Sequence, residues 1–201
     1  MNFLAHLYLA RDDEGLMLGG LLGDFVRGIR ALRRYPPPVR LGIRLHRKID
    51  RYTDHTAEVK ALRRKFPEEF RRYSGIIIDL AYDHELAKRW DQYSDMTLED
   101  FDQEVRVLLA RNEALLPERL VRFMAYADRR GLFAAYRDED EMLHSLAGLG
   151  MRLKRSNPLD RVGEIWPEVK QDCSESFERA FPDIEAMVQG WRNRKSTTTG
   201  S

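Results

Sequence analysis

The chain holds one cysteine, Cys173, among 201 residues. A lone thiol closes no internal disulfide and builds no cysteine-based zinc site, so a reducing, cytoplasmic setting is expected. No apolar run approaches the roughly 18–20 residues of a membrane span. The opening Met1-Asn2-Phe3-Leu4-Ala5-His6 lacks the basic start and cleavage pattern of a signal peptide. Net charge is almost absent: 34 Lys+Arg against 33 Asp+Glu leave +1, which excludes a strongly basic nucleic-acid binder by bulk charge. No Gly-x-Ser-x-Gly turn supports a serine nucleophile, and Gly15–Gly28 has no lysine for a phosphate-binding loop. Strand alternation is nearly missing as well. What is present is 43% hydrophobic residues at a length that suits one core. The expectation is a single all-α helical bundle over residues 1–194.

Helical periodicity divides the chain into segments at about Leu16–Leu32, Val39–Thr53, Glu58–Arg72, Ile76–Tyr93, Leu98–Leu116, Glu118–Arg130, Glu139–Arg155 and Asp160–Arg192. Pro67 can interrupt the third, Pro167 and Pro182 the last, and Ile76-Ile77-Ile78 is the one place where a strand competes. Thr97 and Asp100 have the spacing of a capping box. The tail Lys195–Ser201 shows no helical pattern and is expected to be disordered. The first segment contains Gly19, Gly20, Gly23 and Gly28. An interior glycine costs about 1 kcal/mol against alanine, so four of them imply close backbone approach to another helix or to a ligand.

Four of the five histidines lie in the first 84 residues. His46, Asp50 and Asp54 are spaced i, i+4, i+8, an arc of about 80° on one helix face. An imidazole and two carboxylates on one stripe can converge on a divalent cation, although an exposed polar face gives the same pattern. Asp79 and Asp83 repeat the i, i+4 spacing in a largely apolar segment, with His84 following. Asp24 sits among Leu21, Leu22, Phe25 and Val26. Carboxylates in such surroundings are costly unless paired or metal-bound; a salt bridge from Asp24 to Arg27 or Arg30 is the simpler alternative. Asp24, His46, Asp50 and Asp83 are the core candidates for a metal site, with His84 and His6 as further members. His6 also fits a hydrogen-bonded core histidine, and His55 fits a helix C-terminal cap. Between Arg27 and Arg51 stand nine basic residues and one acidic residue, a local charge of +8. That concentration suggests an anionic substrate or an acidic partner.

The motifs Met1-Asn2-Phe3-Leu4-Ala5-His6-Leu7, Gly23-Asp24-Phe25-Val26-Arg27-Gly28, Gly42-Ile43…His46-Arg47…Ile49-Asp50…Thr53-Asp54 and Asp79…Tyr82-Asp83-His84…Leu86-Ala87…Trp90 closely resemble the acyl carrier protein phosphodiesterase family. The resemblance extends to about Pro182. It implies an atypical, permuted form of the all-helical His-Asp metal-dependent phosphohydrolase fold. It also implies removal of 4′-phosphopantetheine from holo-acyl carrier protein with a divalent cation, manganese first and magnesium or iron(II) as alternatives. On that reading a metal held by carboxylates and imidazoles lowers the pKa of its water. Arg27 and Arg47 stabilise the nonbridging oxygens, and His84 or His46, whichever is not a ligand, protonates the leaving serine oxygen. Asp24 is then catalytic as well as metal-binding. Arg33, Arg34, Arg40 and Arg44 receive the acidic carrier, while nucleic acid and a membrane span are not expected. Two rival readings are a His-Asp hydrolase of a nucleotide or another small phosphodiester, and a non-catalytic module binding an acidic partner through residues 27–51.

Overall fold

A computed structural model describes residues 2–128, 131 and 133–198. Among these residues every regular element is helical: α1 Phe3–Ala10, α2 Glu14–Leu22, α3 Gly28–Leu32, α4 Pro37–His55, α5 Ala57–Lys65, α6 Glu68–Arg71, α7 Ser74–Lys88, α8 Leu98–Arg111, α9 Glu118–Asp128, α10 Glu139–Gly150 and α11 Val162–Thr198. The all-α expectation therefore holds, and Ile76-Ile77-Ile78 is helical. No helix among the described residues is long and apolar enough to cross a membrane.

Two helices that are apolar round most of their circumference form the centre. Every residue of α1 is buried, and α7 buries Ile77, Ile78, Leu80, Ala81, Tyr82 and Leu86. α1, α10 and α11 pack against α7, while α2 lies along α4. The long α11 contributes the stripe Val169, Cys173, Phe177, Phe181, Ile184 and Val188, a helical i, i+3/i+4 pattern. That stripe passes straight through Pro167 and Pro182, and the helix is unbroken at both. Each interior proline costs about 3 kcal/mol, and the apolar face buried along the helix outweighs it. α11 also takes in the first four residues of the tail, to Thr198; residues 199–201 lie outside the described residues, as do 129 and 130 at the expected end of α9.

The other boundaries shift for local reasons. Pro67 does separate α5 from α6. α8 stops at Arg111 rather than near Leu116, because the Asn112 side chain donates to the Leu108 carbonyl (2.8 Å) and closes the last turn. α10 stops at Gly150, whose carbonyl accepts from Asn157. At the start of α8 the Thr97 hydroxyl accepts from the Asp100 N–H, and its own proton goes to the Asp100 carboxylate. The segment expected as one helix over Leu16–Leu32 is two, α2 and α3, separated by the turn Gly23–Arg27. Gly28 at φ +78° opens α3, a conformation that glycine alone adopts without strain.

The surplus glycines serve backbone contact. A Cβ on Gly19 would stand 2.4 Å from the Val39 carbonyl oxygen and 2.5 Å from the Gly42 Cα. A Cβ on Gly42 would stand 2.6 Å from the Leu16 carbonyl oxygen. α2 and α4 thus touch main chain to main chain. Gly19→Ala is therefore expected to destabilise the fold by about 1–3 kcal/mol through overpacking, against the roughly 1 kcal/mol that alanine contributes in a free helix. Urea denaturation measures it, and an increase in stability would show that the helices do not meet in this way.

Candidate metal centre

The contact between α2 and α4 seats His46. Gly23 lies so close above its ring that a Cβ there would fall 2.2 Å from Cδ2 and Cγ. The His46 Nδ1–H donates to the Gly20 carbonyl at 2.8 Å. That bond fixes the ring and aims Nε2 away from the core, the usual backing of a metal-ligating imidazole. His46 Nε2 is 3.1 Å from Asp50 Oδ2, one turn along α4, and 3.5 Å from Asp24 Oδ1. From α1, His6 brings Nε2 to 2.9 Å from Asp50 Oδ1. The two imidazoles stack with centroids 3.9 Å apart and planes 22° from parallel. Both histidines are buried, whereas Asp50 is 38% and Asp24 55% exposed. The cluster is walled on the imidazole side and open on the carboxylate side.

Charge distributes unevenly over this group. Burial disfavours a charged His46, but hydrogen bonds to Asp24 and Asp50 outweigh it and raise its pKa to about 9. Burial, with the neighbouring His46, lowers His6 to about 4. Burial opposes ionisation of Asp50 and Asp24, yet the imidazoles win and hold both below the usual carboxylate range. Two anionic carboxylates thus face one neutral imidazole and one that carries a proton.

Metal–nitrogen and metal–oxygen bonds of about 2.0–2.2 Å put neighbouring donors about 3–3.5 Å apart around an ion. The separations of 2.9, 3.1 and 3.5 Å match that spacing. One donor atom each of His6, His46 and Asp50 lies within 4.8 Å of the others, the one such group among the described residues. Imidazole nitrogen with carboxylate oxygen suits a divalent ion of intermediate hardness. The residues fit a cation.

The remaining candidates stand elsewhere. Asp83 is fully buried and accepts from the backbone N–H groups of Leu4 (2.8 Å) and Ala5 (3.1 Å). Asn2 occupies the N-cap of α1 and makes no side-chain capping bond. Asp83 supplies that cap from α7 and sets the position of the helix that carries His6. Burial pushes its pKa to about 7 despite the two N–H bonds. His84 pairs Nδ1 with the Tyr136 carbonyl at 2.6 Å, and its ring lies nearly perpendicular to that of Trp166. Asp54 is bound to Arg63 at 2.6 Å, and Asp79 is held above the usual range by burial. Arg47 donates to the Val26 carbonyl at 2.6 Å, which ties α4 to the turn bearing Asp24. Arg27 is the exposed N-cap residue of α3, and Arg33, Arg34 and Arg44 are exposed while Arg40 is half-buried. His55 donates to the Arg51 carbonyl in the last turn of α4, as a capping role requires.

Sequence reasoning missed the Gly20 carbonyl, since a backbone acceptor leaves no mark in residue type; the glycine excess was the one available sign. It also missed that Asp83 acts on α1. Asp83→Ala is expected to cost about 2–4 kcal/mol by leaving two buried N–H groups without an acceptor, and Asp83→Asn, which keeps one acceptor oxygen, distinctly less. Equilibrium denaturation of both variants checks the order.

The sequence matches the acyl carrier protein phosphodiesterase family over residues 1–184. Relatives from Escherichia coli strain K12 / DH10B and Escherichia coli O157:H7 strain EC4115 / EHEC, each named acyl carrier protein phosphodiesterase, are 37% identical over 202 residues. The alignments cover 98% of this chain and 100% of each relative. No solved structure matches. With its full-length relatives and this match, the chain belongs to the acyl carrier protein phosphodiesterase family.

Proposed function

We propose that this protein hydrolyses the phosphodiester joining 4′-phosphopantetheine to the serine of holo-acyl carrier protein, using a divalent cation held by His6, His46, Asp50 and Asp24. Manganese is the first candidate, with magnesium or iron(II) as alternatives. The observation that carries the proposal is the donor geometry: donor atoms of His6, His46 and Asp50 within 4.8 Å of one another, Asp24 at 3.5 Å from His46, and His46 backed by Gly20. A cation in that position supplies a lower pKa for bound water and neutralises charge on the phosphate.

The protein's own groups do the rest. Water oxygen joins phosphorus, the bond from phosphorus to the serine oxygen breaks, and the proton that the water gives up is the one that the leaving serine oxygen gains. The half-exposed Asp24 and Asp50 mark the side on which the substrate approaches. Arg47 spends one N–H on Val26 and keeps four of the five guanidinium donors for nonbridging oxygens. Arg27 stands at the end of the same turn. Asp83 acts as a positioning residue, holding α1 so that His6 meets Asp50.

Incubation of the protein with holo-carrier and Mn²⁺, read by mass spectrometry, is expected to show loss of the 4′-phosphopantetheine mass. His46→Ala and Asp50→Ala should reduce this to the no-enzyme baseline; full turnover in either variant removes the proposal. In the metal-free protein His46 keeps its Nε2 proton up to about pH 9, and a ligating imidazole must lose it. Mn²⁺ binding at pH 7.5 should therefore release about one proton per ion, and affinity should rise with pH until about 9. Calorimetry in two buffers of different ionisation enthalpy measures the release, and a value of zero contradicts the assignment of His46.

A further inference from the structure

Thr53 carries a group that the fold itself does not use. It follows Asp50 by three residues and His46 by seven. On α4 it therefore stands within about 20° of His46 in helical phase and about 60° of Asp50. The residue is 2% exposed, and its hydroxyl oxygen is buried with no hydrogen-bond partner in the protein. A threonine inside a helix usually turns that hydroxyl back to the carbonyl three or four residues earlier; Thr53 does not. A hydroxyl left unpaired at such depth costs more than a methyl group of the same shape. The indole N–H of Trp166 is also buried without a partner, but its ring fixes the direction, whereas a hydroxyl rotates to any acceptor within reach.

The backbone at Thr53 is pinned. Its carbonyl accepts from the Thr56 N–H at 3.2 Å and from the Thr56 hydroxyl at 2.9 Å, and Thr56 in turn caps α5. Helical side chains lean toward the N-terminus, which sets the Thr53 side chain over the turn that bears Asp50. Side chains three residues apart on a helix have Cβ atoms about 5–6 Å from one another. Thr53 and Asp50 make no direct bond, and the span between them is one that a single water molecule bridges.

In the metal-free protein the two oxygens of Asp50 face His6 Nε2 and His46 Nε2. A cation takes the lone pairs of both nitrogens, and the His46 proton departs, so those two contacts no longer orient the carboxylate. Ligating carboxylates are held by hydrogen bonds from outside the donor set. We infer that Thr53 is a positioning residue of the metal centre, its hydroxyl holding the Asp50 carboxylate through one water molecule when the cation is bound. This rests on the cation site of the proposed function and adds a residue to it.

Two variants separate the hydroxyl from the packing. Thr53→Val removes the hydroxyl and keeps the shape, while Thr53→Ser keeps the hydroxyl and removes a buried methyl group. Their effects should cross. Thr53→Val is expected to raise the Mn²⁺ dissociation constant about tenfold, while the metal-free protein unfolds at the parent's urea concentration or a higher one. Thr53→Ser should unfold at a lower urea concentration and bind Mn²⁺ as the parent does. Titration calorimetry gives the affinities, and equilibrium denaturation of the metal-free proteins gives the stabilities. Equal Mn²⁺ affinity in parent and Thr53→Val overturns the inference. So does an affinity that falls in step with stability in both variants, which is what packing alone produces. A metal-free Thr53→Val less stable than the parent overturns it too, because the hydroxyl is then already paired. A parent that binds Mn²⁺ and leaves holo-carrier intact removes the proposed hydrolysis and not this inference; a parent that binds no Mn²⁺ removes both.

Discussion

The contact of Gly19 on Gly42 governs much of what lies around it. Two helices that touch through their backbones have no side chain between them to adjust, so their spacing is set by the main chain itself. That spacing brings the Gly20 carbonyl within 2.8 Å of His46 Nδ1 and lays Gly23 against the imidazole ring. From this follow the direction of Nε2, its approach to Asp50 and Asp24, and the half-open shape of the cluster. The turn after α2 belongs to the same arrangement. Had residues 16–32 continued as one helix, Asp24 would have stayed on the α2 axis. Instead Arg47 draws in the Val26 carbonyl, and Gly28 takes the positive φ that lets α3 leave in a new direction.

A second constraint acts from the far side of the core. α1 is buried along its whole length and has no cap from its own sequence. Asp83 provides one across 78 or 79 residues of chain. Placing a carboxyl group at that depth is unfavourable, as its raised pKa records, and two backbone N–H groups at a helix start are among the few partners that offset it. α7 thus helps build the His6–His46–Asp50 cluster without placing a side chain in it, because the helix it fixes contributes His6.

Much of this was legible in the residues. Alternation was missing, apolar positions recurred at helical spacing, and the pairing of His46 with Asp50 followed from i, i+4 alone. The glycine surplus signalled close approach correctly. What stayed hidden depends on tertiary contact. The carboxylates Asp24 and Asp83 both looked misplaced among apolar neighbours, and sequence could not say that one joins imidazoles while the other joins backbone N–H groups. Asp54 shares the stripe of His46 and Asp50 but lies within reach of Arg63 on the next helix, which no spacing rule reveals. Pro167 and Pro182 read as points where the last helix can be interrupted because propensity weighs the residue and omits the continuous apolar face that carries α11 past them.

The stiffness of α4 has a consequence for how such a protein can change over generations. One rod carries His46 and Asp50 on one side and Arg40, Arg44, Arg47 and Arg51 on another, so the angle between them is a property of residue count. Substituting an outward arginine alters that face and leaves His46 and Asp50 where they are. A single residue inserted between Arg44 and His46 would rotate everything before it, Arg40, Arg44 and the Gly42 contact with α2 included, by about 100° against His46 and Asp50. Substitution on the outer face of α4 therefore leaves the His46–Asp50 geometry intact, whereas a change in the helix's length does not.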